Sequence, residues 1–315
     1  MSLMDTAPVR VVALAQHLPA GHDKNMSATP PPRILIVAGS DSGGGAGIQA
    51  DIKTVAMLGG YPMTAITAIT AQNTLGVQAV HPVPTDMVMA QIDSVLADIG
   101  ADAVKIGMIG SAETAHALAD RLEALDLPVV FDPVMIATSG SVLADADVIA
   151  AFRRFLGLAA LTTPNLPELA ALGGEAVVRH QTRALLVKGG HGEGPVIEDR
   201  LVESGAEQRW QHPRRETNST HGTGCTLASA IATGLGQGLP LADAVDRAIA
   251  FVQAALAAAP GLGRGHGPMG HGLGMVPFYH LLAAISREGW DAAAFAARWG
   301  EPYPPRHGEV AGRQA

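Results

Sequence analysis

From Arg33 to Lys188, short apolar runs alternate with segments of helical periodicity. "RILIVAG" reads as a buried strand stopped by glycine, and "AGIQADIKTVAMLG" as a helix ended by Gly59 and Gly60. The β-branched "MTAITAITA" is strand-like, and "TDMVMAQIDSVLADIG" is an amphipathic helix opened by the capping candidate Thr85. The alternation continues through "AVKIGMIG", "SAETAHALADRLEAL", "PVVFDPVM", "ADADVIAAFRRFLG", "AALTTPN" and "ALLVKGG". It predicts an α/β fold with a mostly parallel central sheet covered by helices on both faces. Between Pro195 and Arg215 the chain reads as two strands about a turn at Ser204 and Gly205, and from Thr223 to Pro260 as helix.

In such a sheet, ligands bind beyond the carboxyl ends of the strands. The loops there read "GSDSGGGAG", "QNT", "GM", "DPVMIATSG", "TPNLPE" and "KGGH", small, polar and acidic between apolar strands. Only 4% of residues are aromatic against 48% hydrophobic, so Ala, Val, Leu and Ile must fill the core. A formal charge of −8 argues against nucleic-acid binding, which needs clustered Lys and Arg. The single cysteine cannot form an internal disulfide, which suits a reducing, cytoplasmic setting. The most apolar helical run, "AIAFVQAALAAAP", is too short to span a membrane. Residues 1–32 read as a poorly ordered leader, 33–272 as the body, and 273–315 as an additional helical extension carrying Trp290 and Trp299.

The glycine loop from Gly39 to Gly47 lacks the lysine of a P-loop. As a dinucleotide fingerprint it lacks the later ribose-binding acid, since no Asp or Glu falls between Lys53 and Thr85. It reads better as a turn that lets backbone approach a ligand closely. Asp51, one turn into the next helix, is either a helix-dipole stabiliser or a ligand acceptor. Asp132 ends an apolar strand, where an unpaired charge is expensive; it is either a magnesium ligand or a loop cap. Glu168 has the same two readings, metal-linked acid or first-turn stabiliser. Lys188, before two glycines, can reach a phosphate or simply end its strand. In "HGTGCT", the amides of Gly222, Thr223, Gly224 and Cys225 converge at a helix start and form an anion hole. The same field favours a thiolate, so Cys225 is either a base or nucleophile, or a small packed residue. His266 and His271 lack the partners of a zinc site.

Taken in order, "AGSDSGGGAGIQADIKT", "TAITAQNT", "VKIGMIG", "FDPVM", "ATSG", "TPNLPE", "VKGGH", "THGTGCTLASAIA" and "GRGHGP" resemble the hydroxymethylpyrimidine and phosphomethylpyrimidine kinases of thiamine synthesis. That family belongs to the ribokinase-like superfold, a three-layer sandwich. The resemblance spans most of residues 33 to 270. It implies transfer of phosphoryl groups from ATP, with Mg2+, to 4-amino-5-hydroxymethyl-2-methylpyrimidine and then to its monophosphate. It places the pyrimidine among Gly39, Asp51, Gln72, Met108 and Val134, with Asp51 facing the ring's nitrogen edge. It places magnesium at Asp132 and Glu168 near Asn165, and the nucleotide phosphates at Lys188 and Thr223. It implies that Gly222, Thr223 and Gly224 stabilise charge on the transferring group, with Cys225 where the wider superfold carries an aspartate base. The expected assembly is a homodimer.

Two departures stand out within the body and at its end. The stretch between Glu168 and Lys188 is short, with "GGEAVVRHQTRA" only weakly helical, which could thin the cover of the sheet or shift Lys188. The segment after Gly272 extends past the usual end of the family. Pyridoxal kinase activity and a non-catalytic pyrimidine sensor are the alternatives. The sensor has no need of an anion hole beside a potential base.

Overall fold

A computed structural model describes residues 30–273 apart from 138, 139, 141, 142 and 204. The proposed leader up to residue 29 and the extension with Trp290 and Trp299 lie outside the described residues. Residues 31–273 form one compact unit.

The strands are β1 (Arg33–Asp41), β2 (Tyr61–Asn73), β3 (Gly76–Pro82), β4 (Ala103–Ile106), β5 (Val129–Phe131), β6 (Leu161–Thr162), β7 (Ala184–Val187), β8 (Val196–Glu203) and β9 (Ala206–Pro213). The helices are α1 (Gly47–Met57), α2 (Thr85–Asp98), α3 (Ala112–Glu123), α4 (Ala146–Leu158), α5 (Leu166–Ala171), α6 (Glu175–Gln181), α7 (Thr223–Gly236) and α8 (Leu241–Ala257). Among the described residues the strands make one sheet in the order β3-β2-β1-β4-β5-β6-β7-β8-β9. From β2 to β7 neighbours run parallel, and β3, β8 and β9 join antiparallel at the two ends.

Side-chain alternation along β1 sorts the core into two layers. Leu35 and Val37 pack with Val104, Ile106 and Phe131 beneath α2, α3 and α4. Ile34, Ile36 and Ala38 pack with Val130, Leu161 and Leu186 beneath α1, α7 and α8. This is the expected sheet with helices on both faces. Phe131, Phe152 and Phe155 form an aromatic cluster, with ring centroids 5.2 and 5.0 Å from Phe131.

Helix starts follow local chemistry. Ser111 caps α3 by accepting from the Thr114 amide, and Asp145 caps α4 by accepting from the Val148 amide. Thr85 is not a cap: Pro84 holds that position, and the Thr85 hydroxyl meets Thr114 Oγ1 at 2.9 Å instead. Strand β3 was not apparent from sequence. Four of its last five residues are polar, small or proline, and all five are exposed on the sheet's edge. The short Glu168–Lys188 connection carries α5 and α6, and Lys188 still ends beside Asp132.

Candidate active site

The strand ends of β1, β2, β5 and β7 and the start of α7 open on one cavity of about 780 Å³. The glycine loop is its first wall. Gly47 has φ +54°, and a Cβ there would stand 2.3 Å from the Gly39 carbonyl oxygen. Asp41 ends β1 and organises this loop. Its Oδ1 accepts from the Gly43 amide at 2.8 Å, and its Oδ2 accepts from the Gly45 and Ala46 amides at 3.0 and 2.8 Å. His221 Nε2 adds a contact to Asp41 Oδ2 at 2.9 Å. Burial pushes the Asp41 carboxyl up, but His221 and the loop amides outweigh it and hold the group below the usual range.

The opposite wall is the start of α7. Gly222 is its N-cap in the left-handed region, φ +84°, and a Cβ there would lie 1.9 Å from the Gly45 carbonyl oxygen. The two glycine segments therefore pack backbone on backbone. The next residues, Thr223, Gly224 and Cys225, belong to the first turn, whose N–H groups have no partner within the helix. No acidic residue stands in that turn to satisfy them. A Cβ on Gly224 would meet Lys188 Nζ at 3.2 Å and Asp132 Oδ2 at 3.3 Å, so the bare backbone faces the charged groups.

Those charges form the third wall. Lys188 Nζ donates to Asp132 Oδ1 at 2.6 Å and lies 3.7 Å from Glu168 Oε2. Thr163 Oγ1 also donates to Asp132 Oδ1, at 3.0 Å. Burial lowers the affinity of Lys188 for its proton, but Asp132 and Glu168 outweigh it and keep the ammonium charged. Glu168 is pushed up to about 7 by burial, which Lys188 opposes and Asp132 reinforces. Asn165 and Glu168 form a reciprocal capping box at the start of α5. Glu168 thus does stabilise its first turn while facing the cavity.

Of the residues singled out from sequence, the cavity brings together Gly39, Gln72, Met108, Val134, Asp132, Asn165, Glu168, Lys188, Gly222, Thr223, Gly224 and Cys225. It does not bring Asp51. That side chain is fully enclosed behind the wall, where Lys105 Nζ donates to both its oxygens at 3.0 and 2.8 Å and Ser229 Oγ donates at 2.7 Å. Both partners of the ion pair have no exposed surface. Asp51 is committed to β4 and α7 and does not face a ligand; both readings made from sequence, dipole and ligand, give way to a buried ion pair. Burial opposes charge on Lys105, but the Asp51 carboxylate outweighs it and holds Lys105 above its ordinary range.

Cys225 also differs from expectation. It lines the cavity and is only partly exposed. Burial pushes its thiol up to about 11, against the pull of Lys105 and with the push of Asp51 and Asp132. The helix field does not yield a resting thiolate. Sequence reading also passed over Asp41, His221 and Lys105. Asp41 and His221 stand 180 positions apart, and only the fold joins them; Lys105 lay inside a strand that otherwise read as core.

Among the described residues, no group of three His, Cys, Asp or Glu side chains converges to hold a metal. Asp132 and Glu168 supply two carboxylates. That matches magnesium, which keeps waters and takes one or two carboxylates together with substrate phosphates. No helix among the described residues is long and apolar enough to cross a membrane.

Fold and cavity define a small-molecule kinase of the ribokinase-like kind. The family model described as Phosphomethylpyrimidine kinase matches residues 41–270. The chain is 47% identical over 254 residues to the hydroxymethylpyrimidine/phosphomethylpyrimidine kinase of Rhizobium meliloti, covering 75% of this chain and 96% of that one. It is 48% identical over 253 residues to a thiamine biosynthesis bifunctional protein of Geobacter sulfurreducens, covering 76% of this chain and 52% of that one. The structure of Staphylococcus aureus pyridoxal kinase in complex with AMP-PCP and pyridoxal superimposes with a TM-score of 0.71 at 29% identity, over 78% of this chain and 94% of that one. The chain belongs to the phosphomethylpyrimidine kinase family.

Proposed function

We propose that the protein transfers phosphoryl groups from Mg-ATP to 4-amino-5-hydroxymethyl-2-methylpyrimidine and to its monophosphate, as a step of thiamine diphosphate synthesis. The observation that carries this reading is the cavity itself. One chamber joins an anion-binding helix start, a charged Lys188–Asp132–Glu168 wall and a polar pocket at Gln72. A pyrimidine alcohol and a nucleotide triphosphate need those features side by side.

Roles follow from position. Gly39, Gln72, Met108 and Val134 would hold the ring, which offers both donors and acceptors. Lys188, Thr223 and the amides of Gly222 and Gly224 would take the phosphate charge, since phosphoryl transfer depends on positioning and electrostatic stabilisation. Asp132 and Glu168 would hold magnesium, with Asn165 nearby; the metal when bound shields phosphate charge. Cys225 would accept the proton of the substrate alcohol. With the thiol pushed up to about 11, only the small thiolate fraction present at neutral pH can take that proton, and in a loose transition state the transfer comes late.

Exposed Ile69, Leu75 and Val80 at the β2–β3 edge support a homodimer, and sedimentation velocity tests that assembly. A cytoplasmic location completes the reading. The test of function is a coupled assay with ATP, magnesium and each candidate alcohol. Turnover of the hydroxymethylpyrimidine well above pyridoxal supports it. Tight pyrimidine binding without turnover supports a sensor.

A further inference from the structure

The Gln72 side chain sits between two partners of fixed polarity. As placed, its Nε2 lies 3.2 Å from His221 Nε2 and its Oε1 lies 3.2 Å from Thr70 Oγ1. An amide's nitrogen and oxygen are told apart by what they face. His221 Nε2 also lies 2.9 Å from Asp41 Oδ2, and both side chains are more than nine-tenths buried. An ionised carboxylate only accepts, so His221 Nε2 must carry a hydrogen there, whatever the charge of the ring. Nε2 cannot then accept from an amide NH2. At the other end, the Thr70 hydroxyl donates to the Ser40 carbonyl oxygen at 2.9 Å. That carbonyl can only accept, so the single hydroxyl hydrogen is taken, and Thr70 offers Gln72 a lone pair.

We propose that Asp41 and His221 are positioning residues that fix which end of Gln72 meets the substrate. The amide is turned end for end from its placement, so that Gln72 Oε1 accepts from His221 Nε2–H, in a bond shared with Asp41. Gln72 Nε2 donates one hydrogen to Thr70 Oγ1. Its second hydrogen is left for the cavity, where it seeks an acceptor. Resting on the pyrimidine reading above, this makes the site select an unprotonated ring nitrogen, through a chain that begins at the glycine loop. Asp41 therefore has two tasks: it holds the Gly43, Gly45 and Ala46 amides and it sets the tautomer of His221.

The first test needs no turnover. Long-range 1H–15N correlation spectra of the folded protein should show His221, assigned by loss of its signals in His221→Phe, protonated at Nε2 near neutral pH. A ring protonated only at Nδ1 overturns the proposal. The second test is calorimetric titration with the aminopyrimidine alcohol and with the aminopyridine in which CH replaces the ring nitrogen. The parent should bind the aminopyridine about 10- to 100-fold more weakly, because a buried N–H is left unpaired. In folded His221→Phe the ratio should fall below about threefold, with ATP affinity unchanged. An equal affinity for both rings, or a ratio unchanged in the variant, overturns it. Gln72→Glu keeps shape but has no hydrogen to give, so its aminopyrimidine affinity should drop by about the same factor. Parent-like affinity there overturns the proposal even if His221→Phe fails to fold. Loss of turnover with the binding ratio intact would instead refute the kinase reading alone.

Discussion

Two lysine–carboxylate pairs flank the start of α7, and they are built for opposite ends. Lys105 and Asp51 have no exposed surface, and Ser229 completes the carboxylate's partners. Lys188 and Asp132 are spaced at 2.6 Å, yet Lys188 keeps 13% of its side chain exposed on the cavity, with Glu168 beside it. A sealed pair cannot exchange partners, because separating the charges in a low-dielectric interior costs too much. A pair on a cavity can give up one contact to a phosphate or a metal. The closed pair ties β4 to α1, and Ser229 extends the tie to α7; the open pair is available for chemistry.

The largest effect should come from breaking the closed pair. Asp51→Ala leaves a buried ammonium alone and should cost roughly 3–5 kcal/mol, read as a shift in the denaturant midpoint. The double change Asp51→Leu with Lys105→Met removes both charges and should recover most of that loss. If Asp51→Ala folds with parent stability and loses only pyrimidine affinity, Asp51 belongs to the cavity after all.

Breaking the open pair should move activity instead. Lys188→Met should lower kcat by roughly two to three decades, the scale for one preorganised charge-stabilising donor, with a stability loss well below that of Asp51→Ala. Equal stability costs for the two variants would erase the distinction between the pairs.

Much of the fold was legible because it rests on local pattern. A continuous apolar run locates β1, a β-branched run β2 and helical periodicity α1 and α3, and the start of α3 at Ser111 carries its own cap. The residues around the cavity were legible for a related reason: Lys188 and Asp132 lie at strand ends and Gly222 at a helix start, where small and charged residues stand out. Asp51 was misread because its signal, an acid near a helix start, is the same whether the carboxylate faces water, ligand or a lysine 54 positions later. Lys105 was passed over because four residues of β4 are too few to show that one of them carries a charge inward. Asp41 with His221, and α7 with the glycine loop, are long-range pairings that no local window contains.

A smaller effect concerns Cys225, which lies between the two pairs in the electrostatic sense, since both press on it. Its folded pKa is raised to about 11, so the thiolate fraction grows about tenfold per pH unit below that value. If Cys225 is the proton acceptor, parent kcat should rise between pH 7 and pH 9, and Cys225→Ala should lower kcat by about two decades and flatten the rise. Parent-like single-turnover rates in a folded Cys225→Ala variant would leave the thiol a packing role only.

The smallest effect sharpens the closed side of the comparison. His271 is buried, and its Nε2 meets Thr226 Oγ1 at 2.8 Å in the first turn of α7. Burial lowers its pKa to about 4, Lys53 pushes the same way, and a hydrogen bond to the Met269 backbone opposes them. The folded state therefore holds the neutral ring. The unfolded chain takes up the proton near the ordinary value of about 6.5, before the folded state does. The stability that His271 contributes is full above that value and is lost as pH falls toward 4. By pH 5 the loss should be about 2 kcal/mol, read from denaturant midpoints at constant ionic strength. His271→Asn should flatten that slope, while kcat at pH 8 should stay close to the parent's, because the ring touches the base of α7 and not the charged wall. A slope unchanged in the variant would assign the acid sensitivity to other groups. A kcat that falls with His271 would extend the chemistry beneath the helix start, and the boundary between the closed and open sides would have to be redrawn there.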